Sequence, residues 1–493
     1  MLRDELKKEI LKISGLQDAK ITEPEHAENG DWTTNAAFSL AKKIGKSPND
    51  AAEDLADKLR SEKSDVVDRA ESVGGFINIW IKDEVLLLSL GVVTKIRSKN
   101  TKINLEFVSA NPTGPLTMAN GRGGFYGDAL ANILEKTGYD VTREYYINDA
   151  GNQVRLLGES IEAAEGKRED KEEYYKGEYV KELAGKSPEE AIQFLVGEIK
   201  KSLEKAGIKF NVWFSESKLR EKKEPEKVLK FLEDKNLIEK KDGAVWLGEA
   251  VLVKSDGEYT YFLVDLAYHW NKFFDRKFDM AVDIWGADHH GYVERMKKGV
   301  EVLGIGPEKL KIIIMQLVRL MSGGKEVKMS KRAGTFVTME ELLDEVGVDV
   351  ARWFFLERSP NTHMDFDLDL AKEKSEKNPV FYVQYAYVRM LSILRNSHLE
   401  AKLPSSFGYA PERDLALKIL RWPEILEDTS CDYQVHRLTT YAYELAQAFS
   451  AFYRDVKVIG SDREAELLYL VSKAKETLMD VLKTLGISQP EKM

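Results

Sequence analysis

The segment from Ile103 to Ile147 constrains the fold more than any other. Ile103, Leu105 and Phe107 alternate with Asn104, Glu106 and Val108, the period of a β-strand. Asn111-Pro112-Thr113-Gly114-Pro115 breaks that strand. A helical pattern then runs to about Lys136, closed by Gly138, and a second strand pattern covers Val141 to Ile147. Strand, loop, helix and strand in that order open a doubly wound parallel sheet. The expected fold is therefore α/β, with a Rossmann-type sheet at its centre.

The rest of the chain is arranged around that unit. Its 493 residues suggest about three domains. The stretch 1–83 reads as a small α/β domain: Ser47 caps a helix with Pro48 in its first turn, and Gly74-Gly75 precedes the β-rich run Phe76 to Ile81. Residues 84–157 and 251–340 are assigned to the Rossmann-type sheet domain and 158–250 to an insertion within it. That insertion carries a capping box, Ser187-Pro188-Glu189-Glu190, and a charged run from Lys218 to Lys241 that reads as a solvated helix face. Strand signals return at Ala244 to Leu247, Val251 to Val253 and Tyr259 to Val264. Residues 341–378 are expected to be a linker or stem-contacting region. From 379 to 493 apolar residues recur every three or four positions, as in Val435, Leu438, Ala442, Leu445 and Phe449, which predicts an antiparallel helical bundle.

Composition excludes several classes. Hydrophobic residues make up 43% and charged residues 32%, too balanced for a disordered chain. One cysteine, Cys431, leaves no disulfide framework and no multi-cysteine zinc site. No apolar run approaches the roughly 20 residues of a membrane span, and the N-terminus mixes acids with bases, unlike a signal peptide. A soluble, intracellular protein with no membrane partner is the expectation. The net charge of −10 speaks weakly against a nucleic-acid partner unless basic residues cluster locally.

Four places could carry chemistry. The glycine-rich loop Val108 to Gly124 leads into a helix N-terminus, which suits phosphate, although it matches neither the Walker A nor the Gly-x-Gly-x-x-Gly pattern. Lys325 to Arg332, flanked by glycines, is a cationic loop able to close on a polyphosphate. Asp288, His289 and His290 follow a strand pattern; adjacent histidines on one turn seldom face one ion, so nucleoside or structural hydrogen bonding is preferred over metal binding. Glu106, Glu216, Tyr261 and Asp265 gather acids near strand ends, as a planar cation such as guanidinium would require.

At these residues the chain resembles the arginyl-tRNA synthetases, a class I aminoacyl-tRNA synthetase family, over nearly its whole length. The resemblance rests on EFVSANPTGPL (Glu106 to Leu116), REYYINDAGNQ, YKGEYV, NVWFSES, GADHHGY, KMSKRAGTFVT, SPNTHMDFDLDLA and NPVFYVQYAYVR, with Asn29 to Ala37 in the N-terminal stretch. It implies arginine, ATP with Mg2+ and arginine tRNA as substrates, no protein-bound zinc, and a monomer in the cytoplasm. It implies an N-terminal tRNA-contacting domain and a C-terminal anticodon-binding bundle. By matching position, Ser109 and Asn111 would contact the amino acid, and Glu106, Glu216, Tyr261 and Asp265 would frame its charged groups, with Asp265 facing guanidinium. Thr113, Gly121, Gly286, Asp288 and His289 would lie by ATP. Lys328, Ser330 and Lys331 would hold the leaving pyrophosphate.

One departure from the family pattern stands out. The paired histidines of its His-x-Gly-His motif fall at Thr117 and Asn120 in the run Thr117-Met118-Ala119-Asn120. Both replacements can donate hydrogen bonds but neither carries positive charge. The expectation is that they serve as donors, with the helix N-terminus and the lysine loop compensating. A non-catalytic tRNA-binding paralogue, or a synthetase for lysine, are the alternatives. All of this requires the turn Ala110–Asn120 and the lysine loop to border one crevice with an acidic recess beside it.

Overall fold

A computed structural model describes residues 1–61, 64–92, 98–327 and 337–493 of the chain. Its central sheet has five strands: β1 Lys102–Glu106, β2 Asp140–Ile147, β3 Val212–Ser215, β4 Met280–Gly286 and β5 Leu310–Met315. Their spatial order is β5-β4-β1-β2-β3, and every adjacent pair is parallel. The chain winds outward from β1 to one side and then to the other. Strand order therefore reverses between β1 and β4, and a crevice opens at their carboxyl ends, where doubly wound sheets bind ligands.

The sequence explains why β1 sits at the centre. Ile103, Asn104 and Leu105 are fully buried, as expected of a parallel strand covered on both faces. The helix Met118–Lys136 returns across the sheet, and Gly127 lies in its middle. A Cβ at Gly127 would stand 2.3 Å from Cγ of Phe107, so only glycine lets the helix press onto the residue that follows β1. Arg122, in the same helix, is buried and donates to the carbonyls of Gln316, Ser359 and Thr362 at 2.7–2.9 Å. Among the described residues no carboxylate pairs with it, and burial lowers its guanidinium to about 10.

Three sequence expectations need correction. The span 158–250 is not one insertion, because Val212–Ser215 is the edge strand of the central sheet, paired with β2. The inserted helices Asn152–Ala164, Glu178–Glu182 and Pro188–Lys205 instead close around their own small core of Leu157, Leu183, Ala191 and Leu195. The strand expected at Tyr259 to Val264 is the start of a helix, Tyr261–Trp270, whose N-cap Thr260 accepts from the Leu263 amide. Residues 341–378 are no open linker. The helices Met339–Val346 and Val348–Leu356 bury Trp353, Phe354 and Phe355, and the strand Met364–Asp367 pairs with Val318–Ser322.

The N-terminal domain is a four-stranded antiparallel sheet backed by the helices Leu2–Ser14, Ala36–Ile44 and Pro48–Ser61. The C-terminal bundle has four long helices, Pro379–Asn396, Ala410–Asp432, His436–Asp455 and Glu464–Leu485, and the predicted apolar stripes are buried. One apolar core runs continuously from the central sheet into this bundle. Arg352, 1% exposed, sits at the junction. It donates to Asp128 on the sheet-crossing helix, to the Leu485 carbonyl in the bundle and to the Ala206 carbonyl behind the insertion. The N-terminal domain docks on the helix Ala410–Asp432, where Arg421 stacks 3.9 Å over Trp32 and Arg413 grips Asp31 with two bonds of 2.8 Å.

Candidate active site

The crevice wall begins with a strained turn. Val108 and Ser109, directly after β1, have φ of +67° and +36°. Such values are rare for residues other than glycine and cost on the order of 1–3 kcal/mol each. Side chains hold the turn in place. The Ser109 hydroxyl donates to Glu106 Oε1 at 3.0 Å and accepts from the Tyr146 amide at 3.0 Å. Tyr145 donates to the Ala110 carbonyl at 2.8 Å. The exposed Asn111 accepts from Asn148 at 3.1 Å, and Thr113 is buried behind it.

The turn ends at the helix that begins with Met118. Thr117, its N-cap, has extended backbone. Asn120 Oδ1 accepts from both the Thr117 amide and the Thr117 hydroxyl, each at 2.9 Å. This is a helix cap, and it changes the expectation for Thr117. Its only hydroxyl proton is used by Asn120, so Thr117 is not a free donor in this arrangement. Among the described residues the Asn120 amide Nδ2 has no protein acceptor. Gly121 is buried one residue further on, where Met339 and Phe355 flank it.

The same helix start is stitched to the flank of the basic loop. Met118 donates to the Val337 carbonyl at 3.1 Å and Met339 to the Leu116 carbonyl at 2.9 Å, with Thr117 and Thr338 bridged between them. On the other flank, the hairpin Val318–Ser322 and Lys325–Val327 leads into the loop. Lys328, Ser330 and Lys331 lie outside the described residues.

Beside the crevice is the acidic recess. Glu216, at the end of β3, is 2% exposed, and burial pushes its carboxyl up against the pull of Arg220. Arg220 donates to Glu216 Oε1 at 2.8 Å, so this carboxylate already holds a guanidinium from its own chain. Asp265 accepts from Tyr292 at 2.7 Å, yet burial raises its carboxyl to about 6. Glu106 and Glu216 lie close enough to Asp265 to push it the same way. Tyr261 is 57% exposed at the mouth, its hydroxyl 3.4 Å from Gln153. Gly286, Asp288 and His289 sit across from β1 at the end of β4, all exposed; Asp288 and His289 are 3.6 Å apart. A Cβ at Gly286 would meet Asp288 Oδ1 at 2.6 Å. Among the described residues no group of three or more His, Cys, Asp or Glu is arranged to hold a metal.

Sequence reasoning missed what lies under the recess. Lys272, fully buried, donates to Glu106 Oε2 at 2.7 Å and Asp283 Oδ1 at 2.8 Å. Burial opposes ionisation of Asp283, but Lys272 and His269 outweigh it and hold that carboxyl at about 2. Glu144 is clasped by Arg276 and Tyr268. The available signal was a lone lysine in an aromatic run, Trp270-Asn271-Lys272-Phe273-Phe274.

Strand order, a glycine-rich turn at a helix N-terminus and the stitching of Val337 to Met339 onto that turn fit the catalytic domain of a class I aminoacyl-tRNA synthetase. Family models agree along the chain. Residues 84–169 and 159–375 match the class I (R) tRNA synthetase catalytic domain, 1–81 the arginyl-tRNA synthetase N-terminal domain, and 383–493 the DALR anticodon-binding domain. The chain belongs to the arginyl-tRNA synthetase family. An arginine–tRNA ligase of Carboxydothermus hydrogenoformans is 42% identical, covering 96% of this chain and 94% of its own. One from Bacillus licheniformis is 38% identical over 100% of this chain and 98% of its own. The arginyl-tRNA synthetase structure of Thermus thermophilus superposes with a TM-score of 0.82 at 21% identity over the full length of both chains, a likeness of fold. Among the described residues no helix is long and apolar enough to cross a membrane.

Proposed function

We propose that the chain joins arginine to its tRNA in two steps. A carboxylate oxygen of arginine attacks the α-phosphorus of ATP, and the bond to pyrophosphate breaks. The 2′-hydroxyl of the terminal adenosine then attacks the carbonyl carbon of arginyl-adenylate, and AMP leaves. The observation that carries this reading is the acidic recess of Glu216 and Asp265 beside a helix N-terminus at the sheet's switch point. The grip of Arg220 on Glu216 supports arginine over lysine, because it shows that this carboxylate is oriented to accept a guanidinium N–H.

We assign the roles as follows. Glu106, Ser109 and Asn111 border the amino acid at the strained turn, and Glu216, Asp265 and Tyr261 frame its side chain. Thr113, Gly121, Gly286, Asp288 and His289 line the ATP side. Asn120 donates through Nδ2 toward phosphate and Thr117 orients Asn120; family membership, rather than any described contact, assigns Lys328, Ser330 and Lys331 to the leaving pyrophosphate. Mg2+ enters with ATP and neutralises phosphate charge. In the bundle, a cleft of about 490 Å³ carries Arg389 between Tyr385 and Tyr453, with ring centroids 5.0 and 4.7 Å from the guanidinium. Half-exposed aromatics around an arginine are what an unstacked RNA base stacks on, so we place the anticodon loop there. The expected setting is a cytoplasmic monomer.

The test is pyrophosphate exchange by the purified full chain with arginine or lysine, with and without arginine tRNA. Exchange with arginine alone among the two amino acids, in the presence of tRNA, is expected. Exchange with lysine overturns the substrate, and tRNA binding without exchange would mark a tRNA-binding paralogue.

A further inference from the structure

The residues that border substrate do not account for Lys272. It lies on a π-helical turn, Asn271–Asp275, that extends the helix Tyr261–Trp270. Such turns break the regular hydrogen-bond ladder and recur at functional sites, because they re-aim a side chain. Here the turn brings an ammonium beneath the end of β1 and the middle of β4, 4.2 Å from the Tyr268 ring centroid and shut off from solvent. Glu106 is held from both sides, Oε1 by the Ser109 hydroxyl and Oε2 by Lys272.

Charge balance explains why the cluster persists. His269 Nδ1 lies 2.8 Å from the Asp265 carbonyl, which only accepts, so Nδ1 donates. His269 Nε2 lies 2.8 Å from Asp283 Oδ2, and one proton must sit between them. Two carboxylates, Glu106 and Asp283, are thus matched by one ammonium and one shared proton. Breaking such a buried set by removing one member is costly, because it leaves an unmatched charge. Glu106 therefore needs no counter-charge from the recess above it.

We propose that Lys272 is a positioning residue for arginine activation: its ammonium grips the Glu106 carboxylate from below, favours its ionised form and, through Ser109, holds the strained turn that receives the amino acid. The inference rests on the reading that Glu106 borders arginine. The groups facing Glu106 are Lys272, Asp283, Glu144 and Asp265, with Tyr268 and Tyr146 beside them. Burial above all, with the neighbouring acids, pushes the Glu106 carboxyl up, and Lys272 is the charged group that opposes them.

The experiment measures arginine KM, ATP KM and kcat by tRNA-dependent pyrophosphate exchange across pH 6 to 9. Lys272→Met is expected to raise arginine KM on the order of 10- to 100-fold near neutrality, the weight of a hydrogen bond to a charged group, with ATP KM unchanged. That KM should fall as pH rises, because Glu106 then ionises only in alkali. Asp283→Asn removes a neighbouring negative charge and keeps the volume, so it should move the acid limb the opposite way; it also serves if Lys272→Met does not fold. A merely structural role would move arginine and ATP KM together, or shift both limbs in one direction, and either result overturns the proposal. Glu106→Ala separates the layers. An unchanged arginine KM there refutes the placement of Glu106, whereas a Glu106 effect with no Lys272 effect refutes only the role of Lys272.

Discussion

Asn120 is the sharpest point at which the catalytic reading can fail. Its carbonyl oxygen caps the helix at Thr117 with two contacts of 2.9 Å, while its Nδ2 meets no acceptor among the described residues. The two halves of one amide thus serve stability and chemistry separately, and two substitutions separate them. Asn120→Ala removes both. Loss of a cap costs about 1 kcal/mol, and loss of one donor to developing phosphate charge costs about 100- to 1,000-fold in rate. Asn120→Asp keeps an acceptor for the Thr117 amide and adds a charge that a helix N-terminus favours. It should match the parent in thermal unfolding yet lose at least as much rate as the alanine variant, because a carboxylate repels phosphate. Single-turnover adenylate formation with arginine and tRNA, alongside a melting curve, reads both. If Asn120→Asp keeps the parental rate, or if both variants lose rate only in proportion to lost stability, the donor role is wrong and the compensation for the missing histidines lies elsewhere. Thr117→Val should cost far less than Asn120→Asp, since its proton already belongs to Asn120.

The other predictions concern charge, packing and RNA. Asp265 is held near 6 against an ordinary 3.8, so the folded chain binds its proton more tightly than the unfolded chain does. Ionising it therefore costs stability, a cost that grows between these two pKa values and is complete above the higher one. Asp265→Asn should gain on the order of 1–3 kcal/mol in denaturant melts at pH 8, while arginine activation is lost. In the parent chain, arginine KM should rise as pH falls below about 6, the value at which burial holds Asp265. Arg122→Met leaves three carbonyls without their donor and should lower unfolding free energy by about 3 kcal/mol in urea titration. Gly127→Ala drives a methyl into Phe107 and should cost about 1–3 kcal/mol or more in the same assay. Arg389→Ala should weaken tRNA binding at least tenfold in filter binding, about the weight of one stacked base, and leave ATP affinity unchanged.

Much of the architecture could be read from local pattern. The alternation at Ile103 to Phe107 and the glycine-closed helix after it located the centre of the sheet, because a buried parallel strand and its return helix leave strong periodic signals. β3 escaped because four residues carry no usable period, and its place in the sheet depends on pairing with β2, far away in sequence. Tyr259 to Val264 was misread because tyrosine, threonine and valine favour strands, whereas Thr260 acts through its hydroxyl as a helix cap. At the site, the acids could be named singly, but their mutual arrangement could not. That Thr117 spends its proton on Asn120, and that a lysine supports Glu106 from below, are facts of three-dimensional contact that residue spacing does not carry.

The reach of Arg352 sets a limit on how this chain can be divided. One guanidinium serves three modules, and its acceptor in the bundle is the Leu485 carbonyl, eight residues from the C-terminus. At the neighbouring Gly486 even a methyl group would collide with it, at 2.3 Å. A fragment cut before the bundle would leave an arginine stranded in what had been its core. The two halves are therefore poor candidates for separate expression, and a truncation of the last dozen residues should be felt at the nucleotide crevice.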